Sequence, residues 1–249
     1  MDRSEIIEKL RDDNNYYGDF GKKFLSNSDI KTLLSNPLNL HKETEKNVNL
    51  LFGSYLHTLI LQPDKLTSFK ILDYPNRNYK AYKEEVASHG EICLLEHEAD
   101  KAHELSNVLL SNKIISDLIL GTGAHSKVEH EVPGILDFNG NLWKGKADVL
   151  NHDEKLVIDI KTSSDIERFK WSVRDYNYDS QAYLYSRMFG YELIFIVIDK
   201  NTHVINIFEV SDETLENGSD KVFRANGMYD LYYKTEGFNP KEYIETKIV

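Results

Sequence analysis

The chain has 249 residues, of which 41% are hydrophobic, and its 41 acidic against 30 basic residues give a formal net charge of −11. This length and apolar content allow a substantial core and predict one α/β domain over residues 1–249. The single cysteine, Cys93, excludes a disulfide framework and a cysteine-rich metal site. The negative charge argues against a surface that binds nucleic acid nonspecifically, although basic residues can still be concentrated in a channel.

The N-terminal segment carries no sign of export or membrane insertion. Residues 1–13 are highly charged, and no apolar run approaches the length of a membrane span. We therefore expect a cytoplasmic protein that does not contact a membrane.

The first strongly periodic segment is residues 47–61, whose apolar side chains follow helical spacing and form a broad stripe. His57 lies beside this stripe, four residues after Gly53, where the missing side chain leaves room over the imidazole ring. Spacing alone is typical of a histidine that packs on a helix flank.

Residues 75–83 combine cations with tyrosines. One interpretation is an ordinary exposed loop that enters a helix. The other is a segment facing DNA, in which Arg77 and Lys80 bind phosphates and a tyrosine stacks on a frayed base. The sequence of this segment does not decide between them.

Residues 127–132 alternate as a β-strand does, which predicts that Glu129 and Glu131 point to the same face of a sheet. Solvation of an edge strand would explain both residues without a functional site. Further along, residues 192–200 and 203–210 predict strands that complete a mixed sheet, and residues 211–235 predict a terminal helix that is weakened near Gly218.

Two apolar runs, residues 142–150 and 155–161, flank a turn-rich tetrapeptide and predict an antiparallel hairpin. Asp148 lies late in the first strand, and Asp159 and Lys161 lie in the second. Because side chains alternate along a strand, Asp159 and Lys161 should leave it on the same face. An isolated Asp-x-Lys is usually a structural ion pair, but here a second carboxylate reaches the same region.

Two carboxylates that converge beside a lysine form a hard oxygen site for Mg²⁺ or Mn²⁺. Such an ion can activate water and stabilise the charge that develops on a phosphodiester. The ammonium of Lys161 can hold the attacking water or offset charge on the phosphorane oxygens.

With this motif the sequence resembles the PD-(D/E)xK nuclease superfamily, although Ala147 stands where the superfamily name has proline. The sequence from Ile158 through Gln181 and Tyr185 is similar to the exodeoxyribonuclease VIII (RecE-type) exonucleases and to the wider RecB-type group. The resemblance implies a mixed central β-sheet flanked by helices, with a restriction-endonuclease-like core and a helical N-terminal portion.

The resemblance also implies the site residues. Residues 53–63 are similar to the family's G-x-x-x-H element, which favours His57 as an active-site residue. The family supplies an acid from the strand at 127–132, and counting back from Asp148 with Gly140 in the turn favours Glu129, with Glu131 as the close alternative. The predicted catalytic residues are Asp148, Asp159, Lys161, Gln181 and Tyr185. The predicted ligands of Mg²⁺ or Mn²⁺ are His57, Glu129, Asp148, Asp159 and the backbone carbonyl of Ile160.

The predicted function is resection of linear double-stranded DNA by a metal-dependent exonuclease of phage-type recombination. Predicted DNA contacts come from Arg77, Lys80, Lys146, Arg168 and Arg174. A ring-shaped homo-oligomer and a single-strand annealing protein as partner are implied by the resemblance alone. A structure-selective or restriction-type endonuclease and a non-catalytic DNA-binding or scaffold protein are the alternatives, whereas the single cysteine disfavours adaptation nucleases with iron–sulfur clusters.

Overall fold

A computed structural model describes residues 1–42 and 47–244. The domain expected over residues 1–249 thus includes two short segments, 43–46 and 245–249, that lie outside the described residues. The helices are α1 (Arg3–Leu10), α2 (Asp13–Tyr17), α3 (Asn27–Ser35), α4 (Val48–Leu61), α5 (Lys80–His89), α6 (Glu96–Ser111), α7 (Lys113–Leu120), α8 (Phe169–Asp175), α9 (Tyr178–Phe189) and α10 (Asp212–Tyr233). The strands are β1 (Leu25–Ser26), β2 (Ile71–Leu72), β3 (Leu94–Leu95), β4 (Val128–Phe138), β5 (Asn141–Asn151), β6 (Leu156–Ser163), β7 (Glu192–Asp199) and β8 (Ile205–Glu209).

Strand β5 is the centre of a six-stranded mixed sheet. It pairs antiparallel with β4 along its length, parallel with β1 near its start and antiparallel with β6 near its end. Strand β7 then adds parallel to β6, and β8 adds antiparallel to β7. The expected mixed central sheet with flanking helices is therefore confirmed, and a separate pair, β2 and β3, lies outside it.

The hairpins follow from local chemistry. Asn139 and Gly140 join β4 to β5 and have φ angles of 50° and 79°, the left-handed conformations that a tight two-residue hairpin turn requires. The predicted hairpin between β5 and β6 is also present, with Val149 opposite Ile158 and Asn151 opposite Leu156.

Two apolar cores lie on the two faces of this sheet. Helices α3, α9 and α10 cover one face, here called the α9 face, and helices α4, α6 and α7 cover the other, the α4 face. In β6, Val157 packs into the core of the α9 face, whereas Ile158 and Ile160 pack into the core of the α4 face. No described helix is both long and apolar enough to cross a membrane.

Helix α9 lies very close to its neighbours because glycines face it. A Cβ atom on Gly145 in β5 would lie 2.6 Å from the ring of Tyr185, and one on Gly218 in α10 would lie 2.1 Å from the carbonyl oxygen of Asp179. Helix α10 runs without interruption through Gly218, so the weakening expected there is wrong. The glycine allows the two helices to touch.

The position of the candidate site is set by a divergence of strands. The paired residues of β5 and β6 end at Val149 and Ile158, and closer to its start β5 pairs instead with β1. In the gap, the backbone N–H of Ile160 donates to a carboxylate oxygen of Asp148 at 2.8 Å. The Asp148 side chain thus accepts a hydrogen bond that a backbone carbonyl would accept in a paired strand, at the point where β5 and β6 separate.

Candidate active site

Three potential metal ligands converge at this divergence. His57 from α4, Glu131 from β4 and Asp148 from β5 each offer one ligand atom, and these atoms lie within 4.8 Å of one another. Nδ1 of His57 is 3.4 Å from Oδ2 of Asp148. Among residues 1–42 and 47–244, this is the group of histidine and carboxylate side chains close enough to share an ion.

The carboxylate that β4 places beside Asp148 is that of Glu131, the alternative, and not that of Glu129, which the sequence favoured. Glu131 has a φ angle of 52°, and the alternation of side chains is interrupted there. The residues of β5 that pair with β4 show this interruption. Val132 pairs with Ala147, which packs on the α9 face. His130 pairs with Val149, which packs on the α4 face. The assumption that Glu129 and Glu131 share a face therefore fails.

Glu129 has a different partner. Its Oε1 is 2.8 Å from Nε2 of His152, whose Nδ1 is 3.1 Å from the hydroxyl of Tyr191. These residues line a separate shallow groove at the far end of β4 and do not reach Asp148.

The Asp-x-Lys pair lies directly beside the cluster. Asp159 and Lys161 form a close ion pair, as expected for two residues on one strand face. Nε2 of Gln181 on α9 donates to Oδ1 of Asp159 at 2.5 Å. Asp159 is buried, and its Oδ2 contacts the ammonium of Lys161.

His57 spans the gap between two predicted metal ligands. Its Nε2 is 2.6 Å from the carbonyl oxygen of Ile160, while its Nδ1 faces Asp148. The helix-flank position inferred from spacing is thus real, and it directs the imidazole into the acidic site rather than into the core.

The carboxylates of the site are buried and close together, and both conditions shift their pKa values. Burial and the charge of Asp148 raise the pKa of Glu131 to about 7. Burial also raises the pKa of Asp159, assisted by Asp148 and opposed by Lys161. Burial opposes ionisation of Asp148 too, but His57 and the hydrogen bond from Ile160 lower its pKa.

The imidazole compensates in part for this charge. Burial lowers the pKa of His57, but the nearby carboxylate of Asp148 outweighs burial and raises that pKa to about 9. A divalent cation would favour the ionised forms of Glu131 and Asp159, whose pKa values burial raises. The donor set of two carboxylates and one imidazole, whose ligand atoms lie within 4.8 Å of one another, fits Mg²⁺ or Mn²⁺.

The cluster opens into a cleft of about 930 Å³. Gln181, Tyr185 and the three ligand side chains line its floor, and four lysines contribute to its walls: Lys31, Lys65, Lys144 and Lys146. Exposed tyrosines, Tyr17 and Tyr176, lie at its edge. Four acids, Asp13, Glu131, Asp148 and Asp175, also line the cleft, so its lysines and acids are equal in number although the chain as a whole is negative.

Tyr185 and Lys146 meet on the cleft floor. The backbone N–H of Lys146 donates to the Tyr185 hydroxyl at 3.2 Å, and the ring of Tyr185 is buried against Gly145. Tyr185 therefore fixes β5 beside the acids. Both residues were predicted to act at the site, and the structure brings both to it.

The remaining predicted DNA contacts do not line the cleft. Both terminal nitrogens of Arg77 donate to Glu98 at 2.6 Å, and one also donates to the carbonyl of Cys93, so its guanidinium is occupied within the protein and does not face the cleft. Lys80 is exposed and pairs with Glu84 on its own helix. Arg168 and Arg174 are exposed around α8, and Arg174 immediately precedes three residues of the cleft lining.

Several residues of the site carry no signal that the sequence pattern reveals. Tyr178 places its ring 4.8 Å from Nζ of Lys161, and Asp13 from α2 reaches Lys65 and Lys146. Both contacts join distant parts of the chain. Lys144 could have been found as an unusual cation in an apolar strand, since its side chain is buried and donates to the carbonyl of Tyr16.

Acids from adjacent diverging strands, a lysine two residues after the second acid and a glutamine from α9 are arranged as in the PD-(D/E)xK fold. Residues 22–238 match the family described as a PDDEXK-like domain of unknown function, DUF3799, and the chain belongs to that family. No sequence among curated proteins matches it.

Solved structures share the fold. A protein from Eubacterium rectale described as a "Putative exonuclease" is similar with a TM-score of 0.61 and 19% identity, over 96% of this chain and 95% of that one. A phage related exonuclease from Haemophilus somnus 129PT has a TM-score of 0.37 and 12% identity, over 83% of this chain and 93% of that one, too low to support an argument. The E. rectale protein supports the fold alone.

Proposed function

We propose that this protein is a metal-dependent deoxyribonuclease that degrades linear double-stranded DNA from its ends. The observation that carries the proposal is the convergence of His57, Glu131 and Asp148 next to the Asp159–Lys161 pair, at the floor of a cleft whose walls carry lysines. A hard cation site and a fixed positive charge each stabilise the charge that develops when a phosphodiester is hydrolysed.

The residues of the chain would divide the work as follows. His57, Glu131, Asp148 and Asp159 would hold Mg²⁺ or Mn²⁺, which when bound polarises the phosphate and lowers the pKa of water. The ammonium of Lys161 lies beside Asp159 and stabilises negative charge on the phosphate oxygens. Gln181 holds the carboxylate of Asp159 in place through its amide.

The buried state of Lys161 favours this assignment. Burial lowers the pKa of Lys161, but the carboxylates of Asp159 and Asp148 outweigh burial and raise the pKa above its ordinary value. The lysine therefore stays charged and acts as an electrostatic stabiliser rather than as a proton acceptor.

Exonuclease action is proposed from the sequence resemblance to the RecE-type exonucleases. A ring-shaped oligomer, a single-strand annealing partner and a place in the cytoplasm of a phage host are proposed on the same resemblance. An endonuclease would use the same metal site, so the substrate has to distinguish the two.

The test compares two forms of one plasmid, linear and covalently closed, incubated with Mg²⁺ or Mn²⁺. We expect nucleotides to be released from the linear form while the closed form stays intact. Asp159→Asn, which keeps the shape of a buried side chain, is the inactive control for contaminating nucleases. Cleavage of the closed form at a comparable rate would indicate an endonuclease, and equal activity in Asp159→Asn would reject this site.

A further inference from the structure

Asp13 lies between two lysines of the cleft. One of its carboxylate oxygens is 2.6 Å from Nζ of Lys146, and the other is 2.6 Å from Nζ of Lys65. The three residues come from α2, from β5 and from the turn after α4, so tertiary folding and not a local sequence pattern brings them together. Two ammonium groups that share one carboxylate are spaced so that both contact the same small anionic group.

Lys146 is the fixed member of this arrangement. Its side chain is only 8% exposed, and its Nζ lies 4.4 Å from the ring centre of Tyr16 and 5.3 Å from that of Tyr17. The same Nζ is 3.9 Å from a carboxylate oxygen of Glu131. A phosphate bound at Lys146 would therefore be a direct neighbour of the proposed metal site.

Asp13 and Lys65 are the movable members. Their side chains are 41% and 47% exposed, so each can turn into solvent without opening the core. Ion pairs with this exposure contribute little to stability, typically about 0–1 kcal/mol. A DNA backbone, which gains from the release of condensed counterions, can compete with such a pair.

We propose that Lys65 and Lys146 form a binding subsite for one phosphate of the DNA strand, and that Asp13 occupies this subsite in the DNA-free protein. The inference rests on the proposed function for the identity of the ligand. Asp13 then acts as a built-in competitor: DNA binds only by displacing its carboxylate, which weakens binding of any strand that fails to place a phosphate there.

The direct test measures DNA affinity of Asp13→Asn with Ca²⁺ in place of Mg²⁺. Asp175→Asn is the matched control, because Asp175 lines the same cleft, is exposed and makes no ion pair with the described residues. Both variants remove one negative charge, but only Asp13→Asn releases the two lysines. We expect Asp13→Asn to bind linear duplex DNA about fivefold more tightly, and Asp175→Asn to differ from wild type by less than about twofold.

Two further measurements identify the lysines as the cause. In Lys65→Met the salt dependence of DNA binding should become shallower by about one charge unit, because one fewer lysine neutralises a phosphate and releases a condensed counterion from the DNA. In the background of Lys65→Met, the gain from Asp13→Asn should be smaller than in wild type, since one of the two released contacts is gone. Equal gains in both backgrounds, matching Asp175→Asn, would mean a general charge effect and would overturn the proposal.

A phosphate arm separates this inference from the proposed nuclease function. Inorganic phosphate should raise the melting temperature of Asp13→Asn more than that of Asp175→Asn or of Asp13→Asn/Lys65→Met. If no variant binds DNA but this order holds, the anion subsite stands and the proposed function fails. If wild type binds DNA but Asp13→Asn and Asp175→Asn behave alike in both arms, the subsite fails and the proposed function stands.

Discussion

Strand β4 carries two glutamates, each of which lies near a histidine from another part of the chain, and the two pairs differ in exposure and in their neighbours. Glu129 contacts His152 in a shallow groove, and its side chain is 50% exposed. Glu131, two residues further on, joins His57 in a deep cleft, and its side chain is 20% exposed. A second acid, Asp148, faces only the Glu131 pair.

The comparison shows which properties distinguish a candidate metal site from a surface contact between the same residue types. The Glu129–His152 pair is open to solvent and has no second carboxylate within reach of a shared ion among the described residues. At Glu131, burial together with the neighbouring charge of Asp148 raises the pKa to about 7, so the ionised form is unfavourable unless further positive charge arrives. Convergence and burial, not the presence of a glutamate and a histidine, therefore distinguish the two regions.

The largest expected effect comes from breaking the cluster itself. Asp148→Asn should lower the rate of DNA hydrolysis by more than about 10³-fold, because a bound metal supplies several kcal/mol of transition-state stabilisation. Glu131→Gln should also lower the rate strongly and weaken Mn²⁺ binding, whereas Glu129→Gln should match wild type in both. Single-turnover rates and calorimetric Mn²⁺ titrations measure these effects. Loss of activity in Glu129→Gln with retention in Glu131→Gln would reverse the assignment of the two pairs.

The next largest effect is expected from Lys161, whose ammonium lies beside Asp159 at the buried site. Lys161→Ala should lower the single-turnover rate by about 10²-fold, the scale for removal of one electrostatic stabiliser. DNA affinity with Ca²⁺ should stay nearly unchanged, since an interaction made in the transition state does not contribute to ground-state binding. If affinity fell while the rate was kept, Lys161 would be a substrate-binding residue.

Gln181 acts through Asp159, so its effect should be smaller. Gln181→Ala removes the hydrogen bond to Oδ1 of Asp159 and should lower metal affinity or turnover by about 10-fold, as loss of a group that orients a ligand does. Gln181→Glu is a useful comparison, because it keeps the length but places a second negative charge against Asp159. An unchanged metal affinity and rate in Gln181→Ala would show that the contact has no influence on Asp159.

The smallest effect concerns stability and pH. The pKa of Glu131 is raised from 4.5 to about 7 by burial first and by Asp148 second, so the folded protein holds a proton that the unfolded chain releases within this range. The stability that Glu131 contributes in the metal-free protein therefore falls as pH rises from about 4.5 to 7. Glu131→Gln should be about 1–2 kcal/mol more stable than wild type at pH 8, a common gain when a strained functional group is removed.

Denaturant unfolding in chelator at pH 5 and pH 8 checks this expectation. The advantage of Glu131→Gln should shrink towards pH 5, and Glu129→Gln should lie within about 0.5 kcal/mol of wild type at both pH values, as surface changes do. A destabilised Glu131→Gln at pH 8 would mean that the carboxylate is needed for folding.

The sequence predicts the elements with strong periodicity and the motifs that lie within them. The hairpin of β5 and β6, helix α4 with His57, and the shared face of Asp159 and Lys161 all follow from period and spacing. The choice between Glu129 and Glu131 does not, because it depends on one residue with positive φ inside a strand. Neither the alternation of side chains nor the residue type predicts a positive φ at a glutamate.

Contacts between distant segments are the second limit. Arg77 and Lys80 lie in a segment whose cations and tyrosines are typical of DNA contacts. Glu98 from α6 nevertheless binds Arg77 through two hydrogen bonds. Asp13 lies in a short N-terminal helix without any catalytic pattern, and it contacts two lysines of the cleft. Pairings of this kind depend on how the helices pack around the sheet, which local spacing does not specify.

The most direct test of the central claim is a crystal structure of the protein soaked with Mn²⁺, with anomalous difference density recorded at the manganese edge. The account predicts a peak within coordination distance of Glu131 and Asp148, with Asp159 or His57 completing the shell. It also predicts no peak at the Glu129–His152 pair. Density at Glu129 and His152, with none between Glu131 and Asp148 at saturating Mn²⁺, would contradict it.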